Sequence, residues 1–304
     1  MSAFTRAVVA ATAASPVEKL ITETRAGRAL AERFVAGDTV EAGIEAARRL
    51  NAQRLLVSLD LLGEEVHDRA GAERAADEYV ATLQAIASEG ISANISIKLT
   101  QLGLAIEPDL AEAAVDRLAR AAADAGTTVT IDMEGSAYTE ATIRIYEKAQ
   151  AQHGNLGIAL QAALHRTPDD LERLLPLGGH IRLVKGAYVE PPSVALQTDR
   201  EIVAAFVRLL TVLMQASDVR PAIATHDPTL IAVTLDLARK RREPFEVQML
   251  YGVRPDEQRR LAMMGHDMRV YVPFGSAWYP YLTRRLAERP ANLWFFLRSL
   301  LGRR

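Results

Sequence analysis

Lysine is rare in this sequence, and two of its few lysines stand where a charge is hard to place. Of 36 cationic residues, 31 are arginine and 5 are lysine. Lys19, Lys148 and Lys240 lie in charged, helix-like surroundings, whereas Lys98 (ISIKLTQLG) and Lys185 (IRLVKGAY) interrupt apolar runs. Burying an ammonium is costly unless it is paired or holds a ligand. Other polar residues punctuate similar runs: Asp60 and Glu64 in SLDLLGE, Asp132 and Glu134 in TIDMEG, and Gln161 in LQAAL. Further along come Arg182 and Tyr188 around Lys185, Thr225 and His226 in ATHD, Gln248 and Tyr251 in VQMLYG, and Tyr271 in RVYVPFG. Any one of them could simply cap a turn or fill space. Two lysines, an arginine and an aspartate together suit an anionic ligand, a carboxylate or a phosphate. A desolvated lysine also suits Schiff-base chemistry. An aldolase-type barrel using Lys98 or Lys185 is therefore a second reading, and a non-catalytic anion-binding barrel a third.

Several chemistries are excluded or disfavoured. Without cysteine there are no disulfides, thiolate metal sites, iron–sulfur clusters or cysteine nucleophiles. The six histidines form neither HxH nor HExxH, so no metal is expected. Neither GxGxxG nor GxxxxGK[ST] occurs. A net charge of −2 implies no general affinity for nucleic acid or anionic membranes. No apolar run approaches the roughly 20 residues of a membrane span, and the alanine-rich start, MSAFTRAVVAATAAS, reads as a helix rather than a leader. A cytoplasmic location is expected, with at most peripheral contact at the inner membrane face.

One further stretch, YPYLTRRLAERP (279–290), carries two adjacent arginines. At about 100° per residue, a helix places Tyr281, Arg284, Arg285 and Glu288 within one arc, with Tyr279, Leu282 and Leu286 beside it. Adjacent arginines do not face each other, but two long, forked guanidinium groups can converge on one small anion. An exposed ion-pair helix would look the same.

Eight Val- and Ile-rich runs must position these residues: 54–63, 93–103, 127–135, 156–164, 180–188, 221–227, 245–252 and 268–275. Amphipathic helical patterns separate them, closed by glycines such as Gly90 and Gly126 or opened by Asp227-Pro228. Eight alternating units predict a closed (β/α)₈ barrel of the TIM type, whose functional residues gather at the C-terminal strand ends. The chain reads as a single domain, 1–304: extra N-terminal helices over 1–53 pack outside a barrel spanning 54–304.

In this order, SLDLLGE, ISIKLTQLG, IDME, LQAAL, IRLVKGAYVE, ATHD, VQMLYGV and YVPFGSAWYPYLTRRLAERPAN resemble the proline dehydrogenases, from residue 57 to the C-terminus. The resemblance implies FAD-dependent oxidation of L-proline to Δ1-pyrroline-5-carboxylate, with electrons passed to a membrane quinone. A downstream pyrroline-5-carboxylate dehydrogenase is a candidate recipient of the product. By the same resemblance, Lys98, Arg284 and Arg285 hold the proline carboxylate, while Tyr281, Leu250 and Tyr188 line the ring. Tyr271 crowds its C4. Asp132, which fixes Lys98, and Arg182, beside the flavin N5, are the catalytic candidates. Met133, Gln161, Arg182, Lys185, Gly186, Ala187, Thr225 and His226 match FAD-binding positions, and Glu64 matches an acid that gates the site through an arginine. The sequence departs from the family in LTQLG and in a short segment between Gly275 and Tyr281.

Overall fold

The Val- and Ile-rich runs become strands because β-branched residues fit a pleated surface buried on both sides. In the computed structural model, which describes residues 24–63 and 66–288 (backbone only at Arg25, Ala26, Leu30 and 284–288), all eight are parallel strands. They are β1 (Leu56–Leu61), β2 (Ala93–Ile97), β3 (Val129–Ile131), β4 (Leu156–Gln161), β5 (Gly179–Val184), β6 (Val219–Ala224), β7 (Glu246–Leu250) and β8 (Asp267–Phe274). Each pairs with the next, and β8 closes on β1 with Ser58 opposite Tyr271 and Asp60 opposite Pro273. The expected (β/α)₈ barrel is therefore the observed one. Most strands stop short of the predicted limits, so that Lys98, Asp132 and Lys185 stand just beyond the last paired residues.

The helices between the strands follow the signals in the sequence. They are α3 (Arg69–Ser88), α4 (Pro108–Asp124), α5 (Ser136–His153), α6 (Thr167–Leu174), α7 (Asp199–Gln215), α8 (Pro228–Ala238) and α9 (Pro255–Met263). Asp227 caps α8 by accepting from Thr229 N at 2.9 Å, with Pro228 at the first helical position. Leu83, Val115, Leu118, Ile143 and Phe206 are among the buried residues through which these helices pack on the strands' outer faces.

Among the described residues, two helices precede β1: α1 (Arg25–Ala31) and α2 (Val40–Asn51). The latter covers the seam where the barrel closes. Gly43 lies so near that seam that an added Cβ would stand 3.2 Å from the Phe274 ring and 3.4 Å from Leu59. The last described helix, α10 (Trp278–Glu288), follows β8 as expected. It shares a small core of its own with the N-terminal segment, in which Ala31, Phe34 and Val35 meet Leu62, Val253, Tyr281 and Leu282. The turn after β7 presses on the same segment. Gly252 has φ +71°, and a Cβ there would stand 1.8 Å from the carbonyl oxygen of Arg33. Replacing Gly252 by alanine therefore combines a strained backbone with a clash against main chain. The Gly252→Ala protein should melt about 5 °C or more below the parent in a thermal scan; an unchanged midpoint would mean that this contact is dispensable.

Candidate active site

Side chains alternate across a strand, so residues two apart on each strand stack in layers inside a barrel. Here those layers are polar. The interior receives Ser58 and Asp60 from β1, Asn94 and Ser96 from β2, Thr130 from β3, His180 and Arg182 from β5, Glu246 and Gln248 from β7, and Arg269 and Tyr271 from β8. Lys98 and Asp132 continue the pattern one residue beyond β2 and β3.

The upper layer, at the C-terminal strand ends, is one connected cluster. Lys98 Nζ donates to Asp60 Oδ1 at 2.7 Å, to Asp132 Oδ2 at 3.2 Å and to the Tyr271 hydroxyl at 3.2 Å. That hydroxyl donates in turn to Asp132 Oδ2 at 2.6 Å. Arg182 donates to the other oxygen of Asp132 through Nη1, to Ser96 Oγ at 2.9 Å and to Gln248 Oε1 at 2.6 Å. Its guanidinium lies 5.3 Å from the Tyr271 ring centre, within cation–π range. Lys98 and Arg182 are only 8% and 3% exposed, so their charges need these partners. The formal charges of Lys98, Arg182, Asp60 and Asp132 sum to zero. Burial, reinforced by Asp132 and Asp60, holds the Tyr271 phenol well above its ordinary pKa of 10 and keeps it a neutral donor.

The layer beneath is also charged. Glu246, fully buried, takes Arg269 at 2.8 and 3.0 Å and His180 at 3.2 Å, and accepts from Gln248 Nε2. Burial pushes its carboxyl pKa up, but Arg269 and His180 outweigh that and hold it well below the carboxylate range. Arg269 also donates to the Val57 carbonyl at 2.7 Å.

Above strands 4 to 6 the groups are more open. Gln161 is fixed at both ends, donating to Glu134 O at 2.9 Å and accepting from Ala187 N at 3.3 Å. Gly186 has φ +120°, and a Cβ there would meet Ala163 and Gln161 at 3.2 Å, so the 185–187 loop, exposed at Gly186 and Ala187, hugs the end of β4. Lys185 Nζ lies 3.1 Å from Asp227 Oδ2. Thr225 Oγ1 accepts from Asp227 N at 3.1 Å, and His226 Nε2 accepts from Leu250 N at 2.9 Å. Glu190 ties this loop to the start of α5, accepting from Ser136 N at 2.7 Å and Ser136 Oγ at 2.6 Å.

The structure thus brings Lys98, Asp132, Arg182 and Tyr271 together, as the sequence order implied, and sets Met133, Gln161, Lys185, Gly186, Ala187, Thr225 and His226 around the adjoining rim. Tyr188 is exposed, and Tyr281 is buried in the small core of α10. Arg284 and Arg285 stand on α10, but their side chains, like the whole of Glu64, lie outside the described residues. The resemblance implies Asp132 as the partner of Lys98, yet Asp60 is the nearer carboxylate. The β1–β2 register that sets Asp60 opposite Ser96 is what aligns it with the following lysine. Glu246, Arg269 and Glu190 were not singled out; two-residue alternation in FEVQ and MRVY was the available signal for the first two. Among the described residues, no cluster of His, Cys, Asp and Glu could hold a metal, and no helix is long and apolar enough to cross a membrane.

Comparison with known proteins gives one family. The family model described as proline dehydrogenase matches residues 43–298. Proline dehydrogenase 1 of Bacillus subtilis is 39% identical over 274 residues, covering 89% of this chain and 90% of that protein. The proline dehydrogenase of Deinococcus radiodurans is 34% identical over 280 residues, covering 90% of each. Among solved structures, proline utilization A from Bdellovibrio bacteriovorus, inactivated by N-propargylglycine, superposes with a TM-score of 0.79 at 22% identity. The match covers 86% of this chain and 33% of that one, so the chain corresponds in fold to one third of the larger protein.

The Tyr271 phenol sets an alkaline limit. Its raised pKa contributes stability that is complete below pH 10 and is lost as the unfolded chain's tyrosine ionises above that value. Tyr271→Phe removes one such group. Its stability should fall less steeply between pH 10 and 12, by up to about 1.4 kcal/mol per pH unit. Denaturant melts across that range measure it; parallel curves for the two proteins would show that the phenol titrates normally.

Proposed function

Since this chain belongs to the proline dehydrogenase family, we propose that the Lys98–Asp132–Arg182–Tyr271 cluster is where L-proline is bound and oxidised against FAD. The reaction of the family converts proline to Δ1-pyrroline-5-carboxylate, the first step of proline catabolism. A hydride leaves the ring carbon beside nitrogen on the side away from the carboxylate, a proton leaves nitrogen, and a C=N bond remains. FAD, when bound, supplies the two-electron acceptor for that hydride.

The observation that carries this reading is the buried, charge-balanced cluster at the barrel's C-terminal end. Lys98, held by Asp60 and Asp132, is assigned to receive the carboxylate. Because the four charges of the cluster already cancel, a substrate carboxylate needs further cations, and Arg284 and Arg285 on α10 are assigned to supply them. Three cations on one carboxylate fix the ring's orientation, which hydride transfer requires. Tyr271 and Leu250 are assigned to the ring's flanks, together with Tyr281 and Tyr188, and Glu64 to the acid that closes over one arginine. The acids of the cluster are engaged by Lys98 and Arg182, so solvent is assigned to take the proton from the substrate amine.

The rim fits a flavin dinucleotide. Gly186 lies close against Gln161 and Ala163, leaving exposed main chain for a planar or phosphate group to approach, and Lys185 offers positive charge beside it. Met133, Gln161, Lys185, Gly186, Ala187, Thr225 and His226 would hold the cofactor, and Arg182 would stabilise negative charge on it. A quinone-type acceptor, peripheral contact with the cytoplasmic membrane face, and a downstream pyrroline-5-carboxylate dehydrogenase complete the proposal. The kinship with the bifunctional PutA proteins supports that last partner. The aldolase alternative is not favoured: the family match is to proline dehydrogenases, Lys98 lies between two carboxylates, and Lys185 pairs with Asp227.

The test is spectroscopic. The purified protein, supplied with FAD, should be yellow and should bleach when L-proline is added without oxygen. A protein that stays colourless with FAD would sink the proposal. Lys98→Met should keep the flavin spectrum while raising the KM for proline about tenfold or more; loss of flavin with proline affinity unchanged would contradict the carboxylate role.

A further inference from the structure

Gln248 joins the two charged layers of the barrel interior. Its Nε2 donates downward to Glu246 Oε1, and its Oε1 accepts from Arg182 Nε at 2.6 Å. An amide has one donating end and one accepting end. Turned over, Gln248 would set its NH2 against the Nε–H of Arg182 and its oxygen against a carboxylate, unfavourable at both ends. An ionised carboxylate can only accept. Arg269, at 2.8 and 3.0 Å, and His180, at 3.2 Å, surround Glu246 with groups that favour that ionised form. The acid, a full layer below the site, and the donating guanidinium above it therefore select the same one of two amide orientations.

We propose that Glu246 is a positioning residue for the reaction. It fixes the direction of the Gln248 amide, and Gln248 in turn holds the Arg182 guanidinium in register with Asp132. The inference rests on the assignment of Arg182 to the cofactor's side of the proline site. Lys98 stands outside this chain of bonds, being held by Asp60 and Asp132. A role confined to neutralising Arg269 would be indifferent to which residue stands at 248, and the two roles separate on that point.

Three variants make the test. Glu246→Gln keeps the shape but removes the obligatory acceptor. Gln248→Met removes the relay and leaves the Glu246–Arg269 pair intact. The double variant Glu246→Gln/Gln248→Glu returns a carboxylate one layer higher, where it accepts from Arg182 in either orientation. FAD-loaded proteins are assayed for kcat and for the KM of proline separately. The Arg182 Nε–H resonance, identified by its loss in Arg182→Lys, is followed in ¹⁵N-arginine-labelled protein, and melting temperatures report folding. Both single variants should lower kcat about tenfold or more, leave KM within about twofold, and shift the Arg182 resonance. The double variant should recover kcat to within about threefold of the parent. A folded Glu246→Gln protein with unchanged kcat and unchanged resonance overturns the proposal, as does a kcat loss that Gln248→Glu fails to repair. Where Glu246→Gln does not fold, Gln248→Met decides by the same two readouts. If the parent itself does not oxidise proline, the proposed function fails, and the resonance alone still decides the relay.

Discussion

Asp132 is the point on which the site turns. Its two oxygens accept from an ammonium, a guanidinium and a phenol, delivered by the ends of β2, β5 and β8. Removing it would leave Lys98 with Asp60 and deprive Arg182 of its carboxylate, in an interior where an uncompensated buried charge costs several kcal/mol. The barrel is what makes the arrangement possible. Parallel strands with a two-residue alternation bring side chains distant in sequence to the same height, and closure forbids them from spreading apart.

The same constraint explains the unusual core. A (β/α)₈ barrel normally fills its interior with branched apolar side chains. This one fills it with ion pairs and amides, and moves the apolar burial outward, between the strands and the surrounding helices. Each polar group inside must then be satisfied by another, because a partly satisfied network is worse than an apolar one. Arg269 illustrates the rule: it spans Glu246, the Val57 carbonyl and Asn94 at once.

The strands were legible because β-branched runs and turn residues recur eight times, and the strand ends were legible because a lysine in an apolar run has few innocent explanations. Lys98, Asp132, Arg182 and Tyr271 followed from strand order. Partner choice did not. Whether Lys98 leans on Asp60 or Asp132 depends on the β1–β2 register and on rotamers, neither of which is written in a pattern of residue types. Tyr281 illustrates another limit. A helical arc gathers it with Arg284, but an arc cannot say which neighbour covers it, and its neighbours include Phe34 and Val35 from the far end of the chain.

Closure of this barrel joins its earliest strand to its latest. Arg269 reaches the Val57 carbonyl across 212 residues, and Asp60 lies opposite Pro273. During synthesis, β1 therefore emerges long before the strand that completes it. Until β8 is made, one edge of the sheet lacks its final partner, and Asp132 waits for Tyr271. A nascent chain of this kind carries an open, polar-lined edge for most of its translation. Its demand for protection in the cell would thus be set by the order in which strands leave the ribosome rather than by the stability of the finished barrel.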